Sequence, residues 1–302
     1  MKWIFFIGIF FMLNACNMVR WNQKQLSKKF ERNGIVEGHF QNDEHSIRYF
    51  EGGEGETVLL LHGFGGDAQV TWRKMFMDLS ENYHVIAPDL LWFGKSTSTA
   101  TPNLDSQVDA VKDLLDDKKI DQTAIAGISY GGFVVTGLIY AYPDLFTKIG
   151  IIDCPGVTYD VANLDTLCAT QGVKSVDEIF VVKTPEDIQE LFDLGSYNQR
   201  NIPNGILEDI YTVYYDQHHE KLTKLILSLK EEQGRFAVDT TLSFAPTTIF
   251  WGEFDRVFPI EEGEKLADFM NADFQMIPNA GHAPNVENYK DFLVAFRSFL
   301  EN

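Results

Sequence analysis

From about residue 33 onward, short apolar runs alternate with stretches of helical periodicity, the pattern of an α/β sheet covered by helices. Ile35 to Phe40 and Ser46 to Phe50 read as two strands, joined by the polar turn Asn42-Asp43-Glu44 and predicted to be antiparallel. Thr57 to Leu61, His84 to Ala87, Thr123 to Ile128, Ile149 to Ile152, Thr247 to Trp251 and Phe274 to Ile277 are continuous apolar runs. Strands buried on both faces look like this. Helices are predicted near 71–80, 104–118, 130–142, 260–270 and 285–300. In the last, Phe292, Ala295, Phe296, Phe299 and Leu300 form one apolar stripe that would lie on a sheet face.

Residues 154 to about 245 break this rhythm, with little strand character between two predicted strands. Thr184-Pro185-Glu186-Asp187 has the makings of a helix start: a capping threonine, proline in the first turn and acids at the positive end. The expected organisation is an α/β core over 33–153 and 246–302, mostly parallel in its sheet, with a helical cap over 154–245.

The first sixteen residues are expected to lie outside that fold. Lys2 precedes an apolar run from Trp3 to Leu13, about half the roughly 20 residues a membrane-spanning helix needs. A positive start, a short apolar stretch and a small residue before a break read as a secretory signal peptide. Leu13-Asn14-Ala15-Cys16 resembles the lipobox of bacterial lipoproteins, although Asn14 is an unusual occupant. That resemblance implies lipidation at Cys16, attachment to a membrane of a bacterial cell envelope, and a body facing the periplasm or exterior. Residues 17–32, with Arg20, Lys24, Lys28, Lys29 and Arg32, read as a basic polar tether.

The 302 residues carry a formal net charge of −19, which argues against nucleic-acid binding, since a phosphate-reading surface needs clustered Lys and Arg. It also weighs against polybasic adhesion to anionic lipid. With Cys16 set aside, Cys154 and Cys168 remain. An exported protein permits a disulfide between them, and two buried thiols are the alternative.

Gly127-Ile128-Ser129-Tyr130-Gly131 follows an apolar strand and precedes an apolar helical run. Glycines on both sides let a serine sit on a tight strand-to-helix turn with its hydroxyl exposed at the sheet edge. Such a hydroxyl needs a base. Of seven histidines, His282 lies in Gly281-His282-Ala283-Pro284, between the last predicted strand and the final helix. His62, after the Leu59-Leu60-Leu61 strand, reads as a loop-ordering residue. The imidazole in turn needs a carboxylate behind it. Asp255, just after a strand and upstream of His282, is the first candidate; Glu253, two residues nearer the strand, and Asp153, at the end of the preceding strand, are its rivals. Oxyanion donors are expected from the backbone N–H groups of Tyr130 and Phe64, the latter in the glycine-rich loop His62-Gly63-Phe64-Gly65-Gly66.

These segments, together with Ala87-Pro88-Asp89-Leu90-Leu91-Trp92-Phe93-Gly94-Lys95-Ser96 and Trp251-Gly252-Glu253-Phe254-Asp255, resemble the α/β-hydrolase superfamily across residues 33 to 302. They look most like its capped esterase, lipase and carbon–carbon-bond hydrolase branches. Trp92 stands where that pattern commonly has glycine, and Asn288 stands where proline is frequent. The resemblance implies acyl transfer to water through Ser129, His282 and Asp255, with no metal or organic cofactor. An apolar cap and a membrane tether suggest ester or lipid substrates, monoacylglycerols among them. A carbon–carbon-bond hydrolase would favour arginines converging on the pocket, with Arg200, Arg235 and Arg256 as candidates. A non-catalytic lipoprotein scaffold is the rival from outside enzymology.

Overall fold

A computed structural model describes residues 18–232, 234–235 and 244–302 of the chain. Cys16 and the apolar run before it lie outside the described residues. The sheet has nine strands: β1 (Val36–Gln41), β2 (His45–Gly52), β3 (Thr57–Leu61), β4 (His84–Pro88), the two-residue β5 (Thr97–Ser98), β6 (Thr123–Ile128), β7 (Phe146–Ile152), β8 (Thr247–Gly252) and β9 (Asp273–Ile277). Their spatial order is β1-β2-β4-β3-β6-β7-β8-β9, with β5 paired to β2. β1 and β2 are antiparallel, β2 meets β4 antiparallel, and β4 through β9 along this path are parallel. The carboxyl ends of β3, β6, β7, β8 and β9 therefore open at one edge, where ligands bind in sheets of this kind.

Helices α2 (Ala68–Leu79), α3 (Leu104–Asp117), α4 (Tyr130–Ala141), α10 (Ile260–Met270) and α12 (Tyr289–Glu301) connect or flank the strands. Two apolar layers result, one on each face. One gathers Leu59, Ile125, Val134, Leu138 and Leu114; the other gathers Leu60, Trp72, Phe76, Phe250, Phe292 and Phe296. The expected C-terminal helix is divided. Asn288, at φ −120° and ψ 60°, separates the short α11 (Pro284–Glu287) from α12. Its side-chain amide donates to the Pro278 carbonyl and to Asp291, which holds the break in place.

Trp92 has φ +67°, the left-handed region where glycine is at ease. That is why glycine suits this position. Here the indole is buried, and the Trp92 N–H bonds to the Ser96 carbonyl. Burial and the turn hydrogen bond offset a backbone cost of about 1–2 kcal/mol.

Residues expected as a polar tether form instead a helix, α1 (Met18–Arg32), docked on the body. Val19, Gln23, Leu26, Ser27 and Phe30 form its half-buried to buried face. Phe30 inserts between Phe50 and Phe76 with ring centroids 5.4 and 5.2 Å away. Burying a phenylalanine there contributes about 2–3 kcal/mol. The hydrogen bonds Gln69 Nε2 to Ser27 Oγ (2.8 Å) and Gln23 Nε2 to Tyr214 Oη (2.9 Å) fasten α1 to α2 on one side and to the inserted segment on the other.

That inserted segment, between β7 and β8, is helical where described: α5 (Val161–Gln171), α6 (Asp177–Phe180), α7 (Pro185–Gly195), α8 (Asn204–Ile210) and α9 (His219–Ser228). Thr184 caps α7 in a reciprocal box with Asp187. A π-helical turn, Tyr211–Tyr215, extends α8. Val182, Ile188, Leu207 and Tyr215 make a small core of their own. No described helix is long and apolar enough to cross a membrane.

Candidate active site

Ser129 stands between β6 and α4 with φ +52° and ψ −119°, a backbone conformation that costs an L-residue free energy. Its surroundings enforce that turn. A Cβ on Gly127 would lie 2.3 Å from the Gly131 carbonyl oxygen, and one on Gly131 would lie 2.5 Å from that of Leu61. Only glycine fits at either place. The Ser129 N–H donates to the Ile152 carbonyl at 2.8 Å, tying the turn to the end of β7.

His282 arrives from the loop after β9, and its backbone N–H donates to the Gly195 carbonyl at the end of α7 (2.8 Å). Its Nε2 lies 2.8 Å from Ser129 Oγ, and its Nδ1 lies 2.8 Å from Asp255 Oδ2. The second Asp255 oxygen accepts the N–H groups of Val257 (2.7 Å) and Phe258 (3.1 Å). That leaves one carboxylate oxygen aimed at the imidazole. Residues 129, 255 and 282, separated along the chain, thus meet in one hydrogen-bonded line.

Asp153, a rival acid, is not in that line. It directly follows β7 at φ +47°, fully buried, and its Oδ1 accepts the Gly252 N–H at 2.8 Å. Burial and then the nearby Asp255 charge push its carboxyl well above the usual carboxylate range. Among the described residues, Asp153, Asp255 and His282 bring their ligand-type atoms within 4.8 Å of one another. Their facing atoms are engaged within the protein, Asp255 with His282 Nδ1 and with the Val257 and Phe258 N–H groups, and Asp153 with the Gly252 N–H.

The loop after β3 is pinned by His62. Its Nδ1 lies 2.8 Å from the Gly63 carbonyl, and its Nε2 accepts the Leu90 N–H at 2.9 Å. Those partners require the proton on Nδ1, and burial lowers the imidazole's affinity for a second one. His62 is thus a fixed neutral strut between the ends of β3 and β4. Behind it, buried Arg48 bonds Asp89 through Nε (2.6 Å) and Asp67 through Nη2 (3.0 Å). Asp67 caps α2 by accepting the Val70 N–H. Its carboxyl is pushed up to about 6 by burial first and the Asp89 charge second.

Phe64 and Ser129 line a cavity of about 730 Å³. Tyr130 opens α4, where the first N–H groups have no intrahelical acceptor. The cap supplies Phe180, Leu191, Phe192, Tyr214 and Tyr215 to the cavity, and α1 supplies Val19, Asn22, Gln23 and Leu26. The cap presses close: a Cβ on Gly65 would meet Tyr215 Oη at 2.6 Å. Neither the contribution of α1 nor the tyrosine-bearing π-turn was part of the sequence expectation. Sparse apolar residues within a basic stretch hid the first, and an i→i+5 turn has no sequence signature to reveal the second.

The three candidate arginines lie elsewhere. Arg256 donates to the carbonyls of Asp193, Leu194 and Ser196, clamping the C-terminal end of α7, where a cation is favoured. Arg235 pairs with Asp105 and Glu232, and Arg200 is exposed and lines no part of the cavity. The arginine that does line it is Arg73, on α2. Cys154 and Cys168 are both free thiols in buried positions.

A family model described as alpha/beta hydrolase fold matches residues 56–289. The chain is 25% identical over 267 residues to a monoacylglycerol lipase of Homo sapiens, covering 84% of this chain and 79% of that one. It is 26% identical over 288 residues to a 2-hydroxy-6-oxo-6-(2'-aminophenyl)hexa-2,4-dienoic acid hydrolase of Metapseudomonas resinovorans, covering 92% and 94%. Among solved structures, a membrane phospholipase A described as a bacterial virulence factor superposes with a TM-score of 0.79 at 24% identity, over 100% of this chain and 98% of that one. At that identity the likeness concerns the fold.

Proposed function

Because this chain belongs to the α/β-hydrolase fold family, we propose that it hydrolyses carboxylic esters of lipid-like substrates, monoacylglycerols among them, with Ser129 as nucleophile. His282 Nε2 takes the Ser129 proton as Oγ attacks the ester carbonyl. Asp255 holds the imidazole in the tautomer with its proton on Nδ1 and stabilises the cation that forms. The N–H groups of Tyr130 and Phe64 receive the oxyanion. As the intermediate collapses, His282 returns the proton to the departing alcohol. Water, deprotonated by the same imidazole, then releases the acid and restores Ser129.

The observation that carries this reading is the 2.8 Å contact between His282 Nε2 and Ser129 Oγ. The line of residues opens into a cavity walled largely by Leu, Ile, Val, Phe and Tyr side chains, which suits an acyl chain. The monoacylglycerol lipase among the relatives supports the same substrate class. A panel of p-nitrophenyl esters tests it: hydrolysis is expected from the intact chain and not above background from Ser129→Ala. Equal rates from both would remove the proposal.

Arg73 favours a second reading, in which a substrate carboxylate sits in the same cavity and a carbon–carbon bond is cleaved. The dienoate hydrolase among the relatives is consistent with that. A ring-fission diketone acid hydrolysed in preference to esters, with Arg73→Ala raising its KM alone, would establish it. Retention of the strained serine turn and its partners argues against a purely structural scaffold. We also propose that Cys16 carries lipid and holds the protein to a bacterial envelope membrane. Loss of detergent-phase partitioning in Cys16→Ala is the expected result.

A further inference from the structure

The outward side of α1 differs from the rest of this acidic molecule. In fifteen residues it carries five cations, Arg20, Lys24, Lys28, Lys29 and Arg32, against one acid, Glu31, in a chain of net charge −19. All five are exposed, and none forms an ion pair among the described residues. Helix C-terminal polarity accounts for Lys29 and Arg32 in the last turn. It does not account for Lys24 and Lys28, which lie farther in.

Helical spacing places Trp21, Lys24, Lys28 and Arg32 on one outward stripe, opposite Val19, Gln23, Leu26 and Phe30. Trp21 is 61% exposed, the large apolar face of an indole turned to solvent beside cations. The same helix walls the cavity through Val19 and Asn22, and the exposed Phe192 and Val286 also line it. One helix thus carries cavity-lining residues on its inner side and a basic, tryptophan-bearing stripe on its outer side, with exposed Asn22 between them.

We propose that this outward stripe of α1 docks on an anionic lipid surface, holding at that surface the helix that walls the cleft. Charge complementarity selects the partner: phosphate-bearing headgroups attract the lysines, and an indole settles at the headgroup level. The net charge argues against polybasic adhesion of the molecule as a whole, but α1 gathers five cations with a single acid on one helix. The benefit to catalysis rests on the ester-hydrolase reading, whereas the binding itself does not.

The test uses the full chain with the Ser129→Ala change, so that lipid is not consumed, and vesicles of phosphatidylcholine with or without 30 mol% phosphatidylglycerol, a composition chosen at about the anionic content that gives a marked surface potential. Binding is expected to rise with phosphatidylglycerol and to fall with salt, because the Debye length shrinks from about 10 Å at 0.1 M to about 3 Å at 1 M. Lys24→Glu with Lys28→Glu is expected to lower affinity for the anionic vesicles by about thirtyfold or more. An N-terminal anchor would hold both forms equally to neutral vesicles. Brominated lipid should quench fluorescence in the intact chain more than in Trp21→Phe. With Ser129 restored, hydrolysis of a soluble short ester should be the same with and without the two lysine changes. Failure of that hydrolysis in the intact chain would overturn the functional reading and leave docking to the vesicle result.

Affinity that ignores phosphatidylglycerol, salt and the charge reversals overturns the proposal. So does a lipid-independent dimer of the intact chain that the reversals dissociate, which would assign the face to a second copy. Should the reversed form misfold, the salt response and Trp21 quenching of the intact chain decide the matter.

Discussion

Asp153 and Asp255 lie side by side behind His282, yet only Asp255 faces the imidazole, at 2.8 Å, while Asp153 holds the Gly252 N–H. Two adjacent buried carboxyls cannot both ionise cheaply. Geometry points Asp255 at the imidazole, and burial, then the Asp255 charge, push the Asp153 carboxyl well above the usual carboxylate range. Asp255→Asn is expected to reduce kcat on a p-nitrophenyl ester by about 10⁴-fold, the scale seen when a triad acid loses its charge. Asp153→Asn, which resembles the neutral carboxyl in shape, should stay within about threefold of the intact enzyme. Reversed effects would make Asp153 the working acid.

The same raised carboxyl sets a pH dependence of stability. In the folded state Asp153 holds its proton to higher pH than in the unfolded chain. The native form therefore binds more protons above about pH 4, and this group's contribution to stability falls as pH rises through that window toward its folded pKa. Asp153→Asn removes the titration. Its melting temperature should exceed that of the intact protein at pH 7, with the gap closing toward pH 4. A gap independent of pH would contradict this.

Arg48 neutralises two buried acids at once, Asp67 and Asp89. Arg48→Met strands them, and loss of one partner in a buried ion pair costs about 3–5 kcal/mol. Denaturant unfolding of the variant should show a loss of that size at neutral pH. Because Asp67 caps α2 and Asp89 accepts the Ala68 and Lys95 N–H groups, the loop beside the cleft should loosen with it. Hydrogen exchange at residues 64–70 would show the change.

Leu26 lines the cavity from α1 and is half buried. Leu26→Trp should shorten the longest chain accepted. A p-nitrophenyl palmitate rate reduced about tenfold, a penalty of about 1.4 kcal/mol, with the butyrate rate unchanged, is the expected pattern. A uniform fall across chain lengths would show that α1 only supports the fold.

How much of this was legible in the sequence depends on how each part is built. All the strands but the two-residue β5 could be read, though not their spatial order, because apolar runs such as Thr57–Leu61 and Thr123–Ile128 are largely buried and match the strands residue for residue. Ser129, Asp255 and His282 could be placed near one another because parallel strands deliver their following loops to one edge. The docking of α1 was not legible. Its anchors are buried Phe30, half-buried Leu26, and hydrogen bonds from Gln23 to Tyr214, from Gln69 to Ser27 and from the Val19 N–H to Asp209, and polar anchors leave no period. Arg256 looked like a substrate ligand only because its partners, the final carbonyls of α7, are distant in sequence. Arg73 sits on a helix whose apolar stripe marks it as sheet covering, and nothing in the sequence points that arginine toward the cavity.

The central claim, that Ser129 is the activated nucleophile, is tested most directly by labelling the folded protein with a fluorophosphonate and mapping the adduct by mass spectrometry. A single adduct on Ser129, lost in Ser129→Ala and strongly slowed in His282→Ala, is the predicted result. A folded protein that takes no label, or takes it on another residue, would contradict the account.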